Sequence, residues 1–94
     1  MATVNLYERI APETIRQLQE QVARFNENRN ARNGYYAISI ATPYRKYYGL
    51  WRVFPEGHPP VFLRTLSNQF TEAVQKAIDL LEYSKVALTW LDNS

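Results

Sequence analysis

The chain has 94 residues, a net charge of +2 and a hydrophobic content of 46%, which predict one domain over residues 1–94 and exclude a disordered tail. The absence of cysteine excludes disulfides, thiolate metal sites and cysteine nucleophiles, and a lone histidine excludes an imidazole-rich metal site within one chain. No apolar stretch could span a bilayer and no signal-peptide core begins the chain, so we expect a soluble, cytoplasmic protein.

The first predicted element is a helix that begins at Pro12, because proline in the first turn leaves no hydrogen bond unmade. Apolar residues at helical spacing form its predicted buried stripe: Ile15, Leu18, Val22 and Phe25. The asparagine-rich run 26–34 closes with Asn33-Gly34 and favours turn conformations, so we expect the helix to end there.

Two strands are predicted next, and they should form an antiparallel hairpin. Residues 35–41 and 47–54 both alternate between two faces, and the connector 42–46 has the length of a turn. Residues 55–60 are rich in proline and glycine and form a second predicted turn. Residues 61–65 then supply a short third strand of the same meander.

A second helix is predicted after this strand, capped by Ser67 or Asn68 and ending near Tyr83-Ser84. Its expected buried stripe comprises Phe70, Ala73, Val74, Ala77, Ile78 and Leu81. Residues 86–91 alternate and favour a last strand, although a continued helix fits the same residues. This order predicts an α+β fold, in which two helices pack on one face of an antiparallel sheet of three to four strands.

Positive charge is concentrated in the middle of the chain. Residues 31–66 hold five cations against Glu56 alone, a net charge of +4, together with five of the seven tyrosines. These cations are Arg32, Arg45, Lys46, Arg52 and Arg64. Such a basic, aromatic segment is typical of a binding surface, although basic residues also keep an exposed sheet face soluble.

The candidate binding residues are therefore the aromatic and basic side chains of the second strand and its surroundings. They are Tyr44, Arg45, Lys46, Tyr47, Tyr48, Trp51, Arg52 and Arg64. Tyrosine, tryptophan and arginine are typical of protein–protein hot spots, and rings beside cations also suit the stacking of DNA or RNA bases. Because a local charge of +4 is modest for a nucleic-acid binder, the sequence favours a protein partner or a second copy paired through residues 86–91.

The order of three strands and a helix over residues 35–82 is loosely similar to that of two kinds of DNA-binding module, the arm domains of integrases and the plant AP2-type factors. The similarity lies in element order alone. It implies DNA binding as an alternative and assigns no role to any residue.

Catalytic groups are sparse, so we expect a non-enzymatic binding module. His58 lies in a proline-rich turn and should be solvated, and the three glycines form no phosphate-binding pattern. Asp79 and Glu82 lie three residues apart on the predicted second helix, without a third carboxylate beside them. We therefore expect no cofactor and no metal. A metal-free ribonuclease, built on Arg45, Lys46, Tyr47 and Arg52, is the third hypothesis.

Overall fold

The computed structural model describes residues 10–40 and 47–90, and its first element is helix α1, Pro12–Asn26. Proline occupies the first helical position as predicted. Leu18 and Val22 are buried and Phe25 packs against the core, whereas Ile15 stays partly exposed outside it. The main contacts of α1 are with the second helix and the last strand, so its buried stripe is narrower than the sequence predicts.

The first three strands form the predicted antiparallel meander. They are β1, Tyr35–Ile40, β2, Tyr48–Val53, and β3, Val61–Ser67. Helix α2, Phe70–Leu80, follows, and β4, Leu88–Trp90, completes a sheet of order β3-β2-β1-β4. The element order matches the prediction.

The sheet is mixed rather than wholly antiparallel, because β4 pairs parallel to β1. The reason lies in the connection through α2. A helix that crosses a sheet returns the chain to the end from which it left, so β4 runs in the same direction as β3. Since β3 is antiparallel to β2 and β2 to β1, β4 is also parallel to its neighbour β1.

Both ends of α2 differ from the prediction. Neither predicted cap residue caps the helix: Gln69 is its N-cap, and Ser67 ends β3, where its hydroxyl accepts a hydrogen bond from the Gln69 N–H at 3.1 Å. The helix ends at Leu80 and a turn follows, three residues before the predicted Tyr83-Ser84 boundary. Short polar side chains often bond the backbone just before a helix, which makes a cap and a pre-helical turn look alike in sequence.

The core lies between the two helices and one face of the sheet. Tyr48 and Trp90 both contact Phe70 of α2, with ring centroids 5.3 and 5.5 Å apart. The strand register places Ile38 and Leu50 on this same face, and both are buried. The opposite face of the sheet has no helix over it in the described part of the chain.

Two polar side chains that the sequence did not single out join separate elements. Arg29 donates hydrogen bonds to the carbonyls of Phe25, Glu82 and Ser84, which ties the C-terminal end of α1 to the turn after α2. Asn26 bonds both backbone groups of Leu88, accepting from its N–H at 2.8 Å and donating to its carbonyl at 2.7 Å. The outer edge of β4 is therefore occupied at Leu88.

The expectation that a second copy pairs through residues 86–91 stays a prediction, but Leu88 does not face such a copy. The Leu88 side chain is only 1% exposed and belongs to the core. Its two backbone hydrogen-bonding groups are already bonded to Asn26. Neither the side chain nor the backbone of Leu88 is available to a partner.

Candidate interaction surface

The most exposed apolar segment of the sheet is the first half of β3. Val61, Phe62 and Leu63 follow one another and are each 41–45% exposed. β3 is the outermost strand, and no other strand among the described residues pairs with its outer side. We call residues 61–65 the β3 edge. An apolar strand with an unpaired outer side is a template for pairing with another chain.

An irregularity in the ladder sets which way these side chains point. Leu50 of β2 pairs with Arg64, and the next residue of β2, Trp51, pairs with Phe62, so Leu63 is an extra residue in β3. Such a bulge reverses the alternation of faces along the strand. Phe62 and Arg64 therefore lie on opposite faces, although two residues of a regular strand at this spacing would share one.

An aromatic pair continues the β3 edge on the face away from the helices. The rings of Phe62 and Trp51 meet nearly edge to face, with centroids 5.2 Å apart. Ala37 pairs with Trp51 across the β1–β2 ladder and has no exposed surface. The half-buried Trp51 ring thus forms one end of an apolar patch that runs out to the strand edge.

On the helix side, a groove of about 210 Å³ separates β3 from α2. It is lined by Arg64, Thr65, Leu66, Lys76, Asp79 and Leu80. The ion pairs within residues 10–40 and 47–90 all belong to Arg16, so Arg64 and Lys76 have no carboxylate partner there. Lys76 donates to the carbonyl of Leu66 at 3.0 Å, which holds its ammonium group beside β3.

The predicted binding residues do not all belong to this surface. Tyr44, Arg45 and Lys46 lie outside the described residues. Tyr47 is exposed and lies directly before β2.

The expectation that Tyr48 belongs to the binding surface is wrong, because only 4% of the residue is exposed and its ring packs on Phe70. Alternation along the strand separated Tyr48 from Trp51 correctly. It could not show which of the two faces the helices cover.

The expectation that Arg52 offers a free cation to a partner also changes, because its guanidinium group is already bonded within the fold. It donates to the carbonyls of Tyr35, Val53 and Asn33. The group also lies 4.8 Å from the ring centroid of Phe54 and is only partly exposed. Arg52 joins the ends of β1 and β2 and is not a free cation for a phosphate. Arg64, by contrast, is exposed as predicted.

Sequence reasoning missed Val61, Phe62 and Leu63 as surface residues. A run of valine, phenylalanine and leucine is typical of a buried strand, so these residues were assigned to the sheet and only Arg64 to the surface. The signal that could have found them is their position. They follow a turn at the end of a three-strand meander, where the last strand stays at the edge unless another strand covers it.

The described residues offer little other site chemistry. His58 is exposed, with its ring 4.5 Å from that of Phe54. No three of the histidine, aspartate and glutamate residues in the described ranges are grouped so as to hold a metal ion. No described helix is long and apolar enough to cross a membrane. A larger cavity of about 490 Å³ lies between α1 and β4, where Ala23, Ala87 and Trp90 line it.

In comparison with known proteins, no family model, curated protein or solved structure matches the chain. The function is therefore inferred from the surface of the protein itself.

Proposed function

We propose that this protein is a non-enzymatic protein-binding module that takes an extended segment of another protein onto the β3 edge. The observation that supports this most is the continuous exposure of Val61, Phe62 and Leu63 on the outermost strand, whose outer side pairs with no strand of residues 10–40 and 47–90. An added strand would gain main-chain hydrogen bonds from β3 and would cover these three side chains. Extended segments bind other sheet edges in this way.

The charge of β3 favours another protein over a second copy of this chain. Val61–Ser67 contains Arg64 and no carboxylate. A symmetric pair of β3 strands would bring two arginines into one seam without an acid from either strand, and like charges across strands are destabilising. A different protein can supply a strand with the opposite charge.

A selection from a library of short random peptides tests this function. We expect peptides to be enriched on the wild-type protein and to lose binding to Leu63→Lys, which places a charge in the middle of the apolar run. Tyr83→Lys is the matched control, because Tyr83 is 91% exposed, follows α2 and does not line the groove between β3 and α2. It should bind the same peptides as the wild type.

Two outcomes would contradict the proposal. One is enrichment of peptides that bind Leu63→Lys and the wild type equally. The other is the absence of peptide binding together with binding of a single-stranded RNA pool, weakened by salt and by Trp51→Ala. That result would favour the nucleic-acid alternative, because phosphate contacts make affinity salt-dependent and base stacking needs exposed rings.

A further inference from the structure

We propose that the segment bound at the β3 edge carries a carboxylate and an apolar residue at adjacent positions. This pattern rests on the strand addition proposed above. The carboxylate lies in the groove between β3 and α2, opposite Arg64. The apolar residue lies on the other face, against Phe62. A regular strand places adjacent residues on opposite faces, so this pattern matches what the bulged β3 presents.

The adjacent spacing follows from β2, which already pairs with the same two residues. Leu50 lies opposite Arg64, and its direct neighbour Trp51 lies opposite Phe62. A strand on the outer side of β3 that faces both residues must make the same step. Two residues of the bound strand that are separated by one position would share a face. One of them would then lie on the face opposite to its intended partner, Arg64 or Phe62.

The preference for a carboxylate follows from the groove. Arg64 and Lys76 both line it, and neither has an ion-pair partner among the described residues. Asp79 lines the same groove, which leaves it with a net charge of +1. Side chains directly opposite each other on neighbouring strands approach closely enough for an ion pair, so an acid opposite Arg64 would contact its guanidinium group.

Three synthetic peptides test the pattern. Each is a strand of alternating threonine and valine in which one residue is replaced by glutamate or glutamine and another by phenylalanine. In the first peptide the two residues are adjacent, in the second they are separated by one residue, and in the third glutamine replaces the glutamate of the first. We expect the first to bind the wild type about fivefold more tightly than either of the others. The advantage over the glutamine peptide should shrink as salt rises.

Variants of the protein assign this advantage to the groove. In Arg64→Gln the glutamate and glutamine peptides should bind about equally, whereas Lys85→Gln, a neutralised cation away from the groove, should keep the difference. Equal binding of all three peptides to the wild type, with binding still lost in Leu63→Lys, would overturn the pattern and leave strand addition intact. Binding that Leu63→Lys does not reduce would overturn strand addition as well.

Discussion

At the scale of single residues, Arg29 joins parts of the chain that are more than 50 positions apart in sequence. Its guanidinium group donates to carbonyls at the end of α1 and in the turn after α2, and it lies 3.6 Å from the centroid of the Phe25 ring. Carbonyls at the end of a helix and in the turn after one lack partners within the helix, so Arg29 stabilises the end of α1 and the turn after α2 together.

We expect Arg29→Ala to lower the free energy of unfolding by about 2 kcal/mol or more, because hydrogen bonds from a charged donor are among the stronger ones. Arg24→Ala is the control, since Arg24 is exposed near the end of α1 and should change stability by less than about 0.5 kcal/mol. Urea denaturation measures both. If the two substitutions lowered the free energy of unfolding equally, the Arg29 hydrogen bonds would contribute nothing to stability.

Gly34 is a second residue whose role can be measured alone. Its φ is +110°, and a Cβ at this position would collide with the carbonyl oxygen of Val53. Gly57 has a similar φ of +92° but open space around it. Alanine at either position should lower the free energy of unfolding by about 1 kcal/mol or more through backbone strain. Gly34→Ala should lower it by at least about 1 kcal/mol further, because its Cβ also collides with Val53. Midpoints of urea unfolding compare the two, and similar losses would contradict the close packing at Gly34.

At the scale of elements, β4 depends on a side chain from α1. β4 has three residues, and among the described strands it pairs with β1 alone. On its other side the Asn26 amide bonds the N–H and the carbonyl of Leu88 as a neighbouring strand would. A strand this short has few ladder bonds, so the Asn26 amide supplies a large part of its hydrogen bonding.

We therefore expect Asn26→Asp to destabilise the protein by about 1–3 kcal/mol, because a carboxylate accepts from the Leu88 N–H but faces its carbonyl without a proton to donate. Asn28→Asp changes an exposed asparagine of the same segment and serves as the control. Thermal unfolding at neutral pH measures both. If Asn26→Asp matched Asn28→Asp, the account of β4 would be wrong.

The sequence predicted these elements to different degrees. Helical spacing located the buried stripe of α2, because Phe70, Ala73, Val74 and Ala77 repeat at the period that one packed face requires. The position of β3 in the sheet could not be predicted in the same way, because an apolar strand has a similar composition at the centre and at the edge.

The site was predicted only in part for similar reasons. Residue type and alternation named Arg64 and Trp51 as candidates, and the structure places Arg64 on the β3 edge and Trp51 beside it, while their role stays a prediction. The bulge at Leu63 depends on how β3 meets β2, and the bonds of Arg52 depend on which carbonyls lie within reach in the folded chain. Neither is encoded in a local pattern, so both were missed.

At the scale of the whole molecule, the two edges of the sheet differ. The β4 edge is occupied at Leu88 by Asn26, whereas the β3 edge is apolar and unpaired among the described residues. Because β3 carries Arg64 without a carboxylate, we expect the free protein to be a monomer at micromolar concentration by analytical ultracentrifugation. A dimer that Leu63→Lys converts to monomers would identify a second copy as the occupant and contradict this expectation.

Backbone amide exchange over residues 61–65, measured with and without a saturating peptide from the selection, tests strand addition most directly. A strand that pairs with the β3 edge protects amides that point away from β2, so exchange within residues 61–65 should slow on binding. Exchange in β4 should stay unchanged. Binding that leaves residues 61–65 as fast as in the free protein, or that protects β4 instead, would contradict the proposal that this protein binds its partner at the β3 edge.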